Sequence, residues 1–256
     1  MRAFALVAPT VDIRPAETGD RLSLASVEMN PLIDESLVPL STAGPPEAAD
    51  WDTVYRQSTP PWETGRPAAE LVRVVDQRIL RPMRILELGC GTGADAVFLA
   101  KRGFEVTAVD FSPTAIERAR TRAEQSGTLL RIVLGDVFEF AEHCGPIDLV
   151  YDAGFYHYVR RAELARFLDL LWRLTRPGSL YFTLAGSADE TAEGGPPQVS
   201  EEEIHLELGR LFDFVHLRPF RFESPFRKEG YLGWSCLMRR PGAVGGAPPR
   251  QEGALS

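Results

Sequence analysis

The sequence predicts an α/β fold: a doubly wound sheet of seven strands, mostly parallel, finished by a C-terminal antiparallel hairpin. Three observations predict it. Short apolar runs alternate with segments of helical spacing, the first run ends in a glycine turn, and the last two runs have no helix between them. "MRILEL" at 83–88 is the first strand, and the segment after it has helical spacing at Ala94, Val97 and Phe98 and stops at Gly103. "FEVTAVD" at 104–110 is the second strand. Ser112 and Pro113 then pair an N-cap with a proline at the first helical position, starting a helix that ends near Gly127. "LLRIVLGD" at 129–136 and "PIDLVYDAG" at 146–154 are the third and fourth strands. Leu164, Phe167, Leu168, Leu171 and Trp172 mark the buried stripe of a helix over 161–175, closed by "RPG". "SLYFTLAG" at 179–186 is the fifth strand, and Ser200 with Glu203 forms a capping box for a helix to about Leu211. "FDFVHLRPFRF" and "YLGWSCLM" complete the seven, and a further helix is expected ahead of the first strand, over 66–79.

The composition supports one sizeable domain. With 256 residues, 44% of them apolar, the chain can bury a full core, and we place the folded body at 47–240. Residues 1–46 mix Pro, Ser, Thr and acids without a period and are expected to be a mobile extension; 241–256 read as a disordered Gly/Pro-rich tail. No apolar run approaches the ~20 residues of a membrane span, and Pro9, Asp12 and Arg14 interrupt the start before a signal-peptide core is complete. A cytoplasmic protein with no membrane partner is expected, as a monomer or homodimer. Cys90, Cys144 and Cys236 have no CxxC spacing and the four histidines form no ligand-spaced cluster, so neither a disulfide framework nor a metal site is expected. The net charge of −8 argues against a nucleic-acid partner, which would favour a basic surface.

In this architecture ligands bind at the carboxyl ends of the strands, where the strand order reverses. Waiting there are Glu87, Gly89, Gly91 and Gly93 after the first strand, Asp110 after the second, Asp136 and Val137 after the third, and Asp152 after the fourth. Glycines let the backbone turn sharply and approach a ligand closely. Asp110, about 20 residues beyond the turn, is placed to accept hydrogen bonds from ribose hydroxyls. Asp136 can accept from an exocyclic amine such as that of adenine. The spacing G-x-G-x-G behind an acid departs from the dinucleotide pattern G-x-G-x-x-G, and the Gly-Lys-Ser/Thr of a phosphate loop is missing. Glu87 would repel a pyrophosphate. It suits a phosphate-free nucleoside with a cationic arm, and S-adenosylmethionine is such a ligand.

"LELGCGTG", with Asp110, "GDV" at 135–137 and "DLVYDAG" at 148–154, resembles the cofactor motifs of class I S-adenosylmethionine-dependent methyltransferases, whose Rossmann-like sheet matches the seven strands. The resemblance implies S-adenosylmethionine as cofactor and S-adenosylhomocysteine as product. It implies a cofactor set of Glu87, Gly89, Cys90, Gly91, Gly93, Asp110, Phe111, Asp136, Val137, Asp152 and Ala153, in which Glu87 supports the turn and the methionine end, Asp110 holds the ribose, and Asp136 and Val137 flank the adenine. Cys90 reads as packing within the turn rather than as a nucleophile, having no identifiable base beside it.

"WDTVYRQSTPPWETGRPAAEL" at 51–71 is similar to the N-terminal segment of the thiopurine methyltransferase-like branch, which includes small-molecule thiol and halide methyltransferases. There an aromatic segment closes over the cofactor, which makes Trp51, Tyr55 and Trp62 candidates: aromatic faces attract a sulfonium and exclude water. "YDAGFYHYV" lacks the proline pair of nucleic-acid amino-methyltransferases and resembles the D-x-G-x-x-H form of the small-molecule branch, with Ala153 where many members have arginine. His157 is the candidate general base for a hydroxyl or thiol. The expected reaction is in-line methyl transfer to a small thiol, halide or hydroxyl acceptor, with alignment and a dry pocket as the main contributions. A macromolecular methyltransferase and a noncatalytic S-adenosylmethionine-binding module are the alternatives. The loop 187–199 is placed to help cover the acceptor, and Arg218, Arg221, Arg227 and Lys228 could receive an anionic one.

Overall fold

The computed structural model describes residues 48–242 apart from 58, 61, 194 and 226. The expected extension at 1–46 and the tail from 243 onward lie outside the described residues. Two helices come first, α1 (Ala48–Gln57) and α2 (Ala69–Asp76). The central run is β1 (Arg84–Leu88), α3 (Ala94–Lys101), β2 (Glu105–Asp110), α4 (Pro113–Gln125), β3 (Arg131–Leu134), α5 (Val137–Glu142) and β4 (Leu149–Ala153). There follow α6 (Phe155–Leu174), β5 (Leu180–Ser187), β6 (Gln198–Val199), α7 (Glu201–Leu208), β7 (Asp213–Phe222) and β8 (Tyr231–Arg239).

The strands form one sheet in the order β3-β2-β1-β4-β5-β8-β7, with β6 beside the end of β5. The pairs from β3 through β5 are parallel, and β8 runs antiparallel to both β5 and β7. All seven expected strands are present. The two-residue β6, which ends the loop expected at 187–199, is the eighth. Strand order reverses between β1 and β4, so the ends of these neighbours flank the crevice where ligands of such sheets bind. Glu87 stands in register with Ala108 of β2 on one side and Tyr151 of β4 on the other. Pro219 sits in β7, at the sheet edge, where its missing N–H leaves no central ladder bond unmade.

The parallel strands are buried on both faces. Alternation along β1 sends Ile85 into the core that α2 and α3 cover, and Leu86 and Leu88 into the core under α5, α6 and α7. The expected caps form: the Ser112 hydroxyl accepts from Ala115 N–H with Pro113 in the first turn, and Ser200 and Glu203 bond reciprocally as a capping box. Elsewhere the sequence reading falls short. The helix ahead of β1 is the shorter α2. α1 and α5 are additional, the latter capped by Asp136, whose Oδ1 accepts from Phe138 N–H at 2.8 Å. α6 starts at Phe155, not at 161, because the Asp152 carboxylate caps it in advance by accepting from the N–H groups of Phe155 and Tyr156, both at 3.0 Å. Non-helical angles at Glu163 (φ −128°, ψ 33°) break the helix internally, which hides its first turns from a periodicity reading.

A buried carboxylate ties the first helices to the C-terminal hairpin. Glu70 of α2, 5% exposed, accepts from both Arg73 and Arg218 and from the Ser235 hydroxyl at 2.6 Å. Burial alone would raise its pKa, but these donors outweigh it and hold the group at about 2, against an ordinary 4.5. A depressed folded-state pKa means stability that is complete above about 4.5 and is lost as pH falls toward 2. We expect Glu70→Gln to be less stable than the parent in urea unfolding at pH 6, and the gap to narrow steadily between pH 4.5 and 3. A pH-independent gap would place the loss in packing instead.

Candidate functional site

The site is built where β1 and β2 end. Gly89, Gly91 and Gly93 all have positive φ (65°, 52° and 74°), so the turn has a backbone that side-chain-bearing residues rarely adopt. Gly93 also packs on α4: a β-carbon there would stand 2.9 Å from that of Ala119. Cys90, buried within the turn, donates its N–H to Val109 O at 3.0 Å. Asp110 then joins the two strand exits. Its Oδ2 accepts from Gly91 N–H and its Oδ1 from Ser112 N–H, each at 2.9 Å. Burial pushes the carboxyl up, with these backbone donors working against the rise.

Among the described residues, Glu87 is the buried side chain that keeps an oxygen without a partner. It is 4% exposed, and its Oε2 has no hydrogen-bond partner. Burial first, and then the carboxylates of Asp95, Asp110 and Asp152, push its pKa well above the ordinary value. Two of those neighbours are already engaged. Asp95 accepts from Tyr151 O–H at 2.6 Å and from Ala68 N–H at 2.7 Å. Asp152, held near a pKa of about 6 by burial against four donors, accepts from Tyr181 O–H at 2.7 Å and Thr183 O–H at 3.1 Å besides capping α6. An orphaned acceptor among like charges is stabilised by a cation that donates hydrogen bonds. The ammonium arm of S-adenosylmethionine is such a donor, and the positive-φ turn beside Asp110 gives a phosphate-free nucleoside room for close approach. The residues therefore fit this cofactor.

The remaining expected residues divide. Phe111 and Asp136 are half-buried and Val137 is buried at the tips of β2 and β3, while Ala153 is exposed at the tip of β4. Asp152 lies there too, but its side chain is spent on α6 and β5. His157 is buried in the first turn of α6, and its Nδ1 accepts from Gly186 N–H at 3.0 Å. In the neutral ring the proton is then on Nε2. Burial holds the pKa down at about 3, so the ring stays neutral, and its one lone pair, on Nδ1, is taken up by Gly186 N–H. Of the expected cations, Arg218 is bound to Glu70, Arg227 reaches Glu190 at 3.2 Å and Arg221 lies 3.8 Å from it. Glu190 also accepts from Leu232 N–H at 2.7 Å, which fastens the 187–199 loop to β8.

The segment from 51 to 68 lies over the turn. The Tyr55 hydroxyl is 2.8 Å from where a β-carbon on Gly91 would stand, and it accepts from Trp62 Nε1 at 3.3 Å. Trp51 meets Trp62 edge-on at 5.4 Å between centroids, and Tyr158 of α6 at 4.7 Å. The residues that dock this segment were not foreseen. Asp52 accepts from the Ser112 hydroxyl at 2.8 Å and Thr114 N–H at 3.0 Å, and Arg118 donates to Tyr55 O at 2.6 Å. Arg122 completes the row. Thr114, Arg118 and Arg122 recur every four residues on one face of α4, a spacing that reads in sequence as an ordinary solvated stripe.

Residues 85–178 match a family model described as a methyltransferase domain. The chain is 27% identical over 165 residues to the 2-heptyl-1-hydroxyquinolin-4(1H)-one methyltransferase of Mycobacteroides abscessus, covering 63% of this chain and 72% of that protein. It is 33% identical over 201 residues to the malonyl-[acyl-carrier protein] O-methyltransferase of Serratia marcescens, covering 73% of this chain and 76% of the relative. Among solved structures, one from work on the conversion of a disulfide bond into a thioacetal group during echinomycin biosynthesis superposes with a TM-score of 0.66 at 25% identity, over 76% of this chain and 93% of that one.

Asp110→Ala removes the acceptor shared by the turn and the α4 start together with the ribose partner. Calorimetry should show S-adenosylhomocysteine binding weakened on the order of tenfold to a hundredfold. Unchanged affinity would remove Asp110 from the site.

Proposed function

The chain belongs to the S-adenosylmethionine-dependent methyltransferases, and from that premise we propose that it methylates a small molecule through a thiol, halide or hydroxyl acceptor atom. The observation that carries this reading is the aromatic cluster of Trp51, Trp62 and Tyr158, which joins the strap over the glycine turn to the first turn of α6, just after β4. Such a cluster offers a compact acceptor an apolar, poorly hydrated surface beside the cofactor turn. The quinolone methyltransferase relative, whose name specifies a hydroxylated heteroaromatic compound, supports the same class.

Bound S-adenosylmethionine supplies a methyl group on a cationic sulfur and departs as S-adenosylhomocysteine. The protein's own contribution is alignment. Glu87 and Asp110 fix the cofactor's two ends, and Tyr55, Trp51 and Trp62 cover it with apolar faces that favour a cation. Ala153, in place of a long cationic side chain, leaves space at the β4 tip and no fixed charge for an anionic group.

His157 acts in this scheme by position. Its Nδ1 fastens the start of α6 to the end of β5 through Gly186, and its ring lies against Gly154, where a β-carbon would stand 3.2 Å from Nε2. The two strand exits that flank the acceptor are thereby held in register. This replaces the general-base role expected from the sequence. The proton of a neutral acceptor then leaves to solvent, or the acceptor arrives ionised.

A labelled-methyl screen over thiols, hydroxylated heteroaromatics, halides and carboxylates tests the assignment. Transfer to one or more small acceptors is the expected result; label appearing only in added RNA or protein would overturn it. His157→Asn keeps an acceptor for Gly186 N–H, and His157→Ala does not. We expect the asparagine variant to retain most of the turnover, the alanine variant to lose on the order of tenfold, and the pH profile from 5.5 to 8.5 to be the same in the parent and the asparagine variant. Loss of an acid limb in the asparagine variant would return His157 to the role of base.

A further inference from the structure

Arg122 makes contacts that neither the family motifs nor the reading of the site account for. Its Nε donates to Thr92 O at 2.9 Å and its Nη2 to Thr92 Oγ1 at 3.1 Å, so two donors hold the middle of the glycine turn. On the other side Nη1 donates to Gly65 O at 2.8 Å and Nη2 reaches Glu63 Oε1 at 3.4 Å. Glu63 closes the ring: its Oε1 accepts from Gly65 N–H at 2.8 Å, and its Oε2 accepts from the Thr92 hydroxyl. One guanidinium thus joins the strap at 63–65 to the residue between Gly91 and Gly93.

We propose that Arg122 is the positioning residue that couples closure of the 51–68 strap to the cofactor turn, and so sets how long the nucleoside cofactor and its product stay bound. The inference rests on the cofactor reading above. Three observations support it. Tyr55 is 6% exposed and stands directly over Gly91, so the closed strap covers the turn and a ligand as large as S-adenosylmethionine passes only when the strap lifts. Lifting the strap at 63–65 breaks the bonds of Arg122 to Gly65 and Glu63 and that of the Thr92 hydroxyl to Glu63, while the bonds of Arg122 to Thr92 stay within the body of the sheet. At one end of the strap Ala68 N–H is pinned to Asp95 at 2.7 Å, and Asp52 and Arg118 hold the other end; the Arg122 contacts lie next to the Ala68 anchor and form the latch that reaches the glycine turn itself. A planar fork with donors in fixed directions serves two loops at once, which a lysine ammonium does not. The Arg122 and Glu63 side chains are 30% and 14% exposed, so the contact is sheltered from the screening that makes surface pairs weak.

Dissociation of S-adenosylhomocysteine, followed by stopped-flow, tests the latch in the parent, Arg122→Lys, Arg122→Ala and Glu63→Ala. Release should be about tenfold faster in Arg122→Ala and several-fold faster in the other two. Trypsin gives a second readout, because the Arg56 side chain on the strap is 62% exposed. S-adenosylhomocysteine should protect the bond after Arg56 in the parent and much less in Arg122→Ala. Equal release rates and equal protection in all four proteins would overturn the latch and leave the cofactor reading standing. Failure of the parent to bind S-adenosylhomocysteine at all would overturn the cofactor reading and the latch with it. Should Arg122→Ala not fold, an unchanged rate in Arg122→Lys and Glu63→Ala would still overturn the latch.

Discussion

The carboxylate of Asp110 is the constraint on which the site depends. It ends β2, and its two oxygens take one backbone N–H from the glycine turn and one from the start of α4. Without that bridge, only Cys90 N–H to Val109 O would join the exits of β1 and β2, and the N–H groups of Gly91 and Ser112 would lose their acceptor at the mouth of the crevice. With it, they form a single edge. The strap is assembled on that edge: Asp52 bonds Ser112 and Thr114, Tyr55 covers Gly91, and Arg122 grips Thr92. A small displacement of Asp110 would therefore move the glycine turn and the strap contacts together.

Charge decides what this edge receives. Glu87, Asp95, Asp110 and Asp152 are all buried around the exits of β1, β2 and β4. Protein donors satisfy Asp95 and Asp152, and backbone amides satisfy part of Asp110. Glu87 keeps an oxygen with none. Burying a carboxylate beside like charges is costly, and proteins accept that cost at positions where a ligand later supplies the missing partner. A pyrophosphate would add negative charge to this group. A cation-bearing nucleoside relieves it, which makes the electrostatics of the turn and the family assignment mutually consistent.

The same logic explains why the acceptor side reads differently from the cofactor side. Asp152 and His157, both expected to face ligands, are turned into the scaffold: one caps α6 and binds β5, the other fastens Gly186. They hold in place the ends of β4 and β5, and the surfaces left toward the acceptor are aromatic and small. Chemistry that needs mostly alignment and dryness is compatible with such a wall, because no proton has to be taken by a fixed base.

The succession of apolar runs along the chain, the capped helix starts at Ser112 and Ser200 and the G-x-G-x-G turn behind Glu87 were legible in the sequence, because each is a local pattern with a local physical cause. So was the placing of Asp110, since a parallel βαβ unit fixes its distance from the turn. The early start of α6, the neutral tautomer of His157 and the capture of Arg218 and Arg227 by Glu70 and Glu190 were not. The start of α6 is set by Asp152 only three residues ahead but is masked by the break at Glu163; the others depend on partners 29 to 148 residues away, and a titratable side chain looks the same in sequence whether it is free or spent. The row Thr114, Arg118 and Arg122 is the clearest case. Its spacing was on the page from the start, but only the packing of the strap on α4 turned a solvated stripe into a dock. The sequence by itself determined which cofactor chemistry the turn can accept; the tertiary structure decided which of the remaining polar residues are free to meet a ligand, because burial and hydrogen bonding are set by the whole fold.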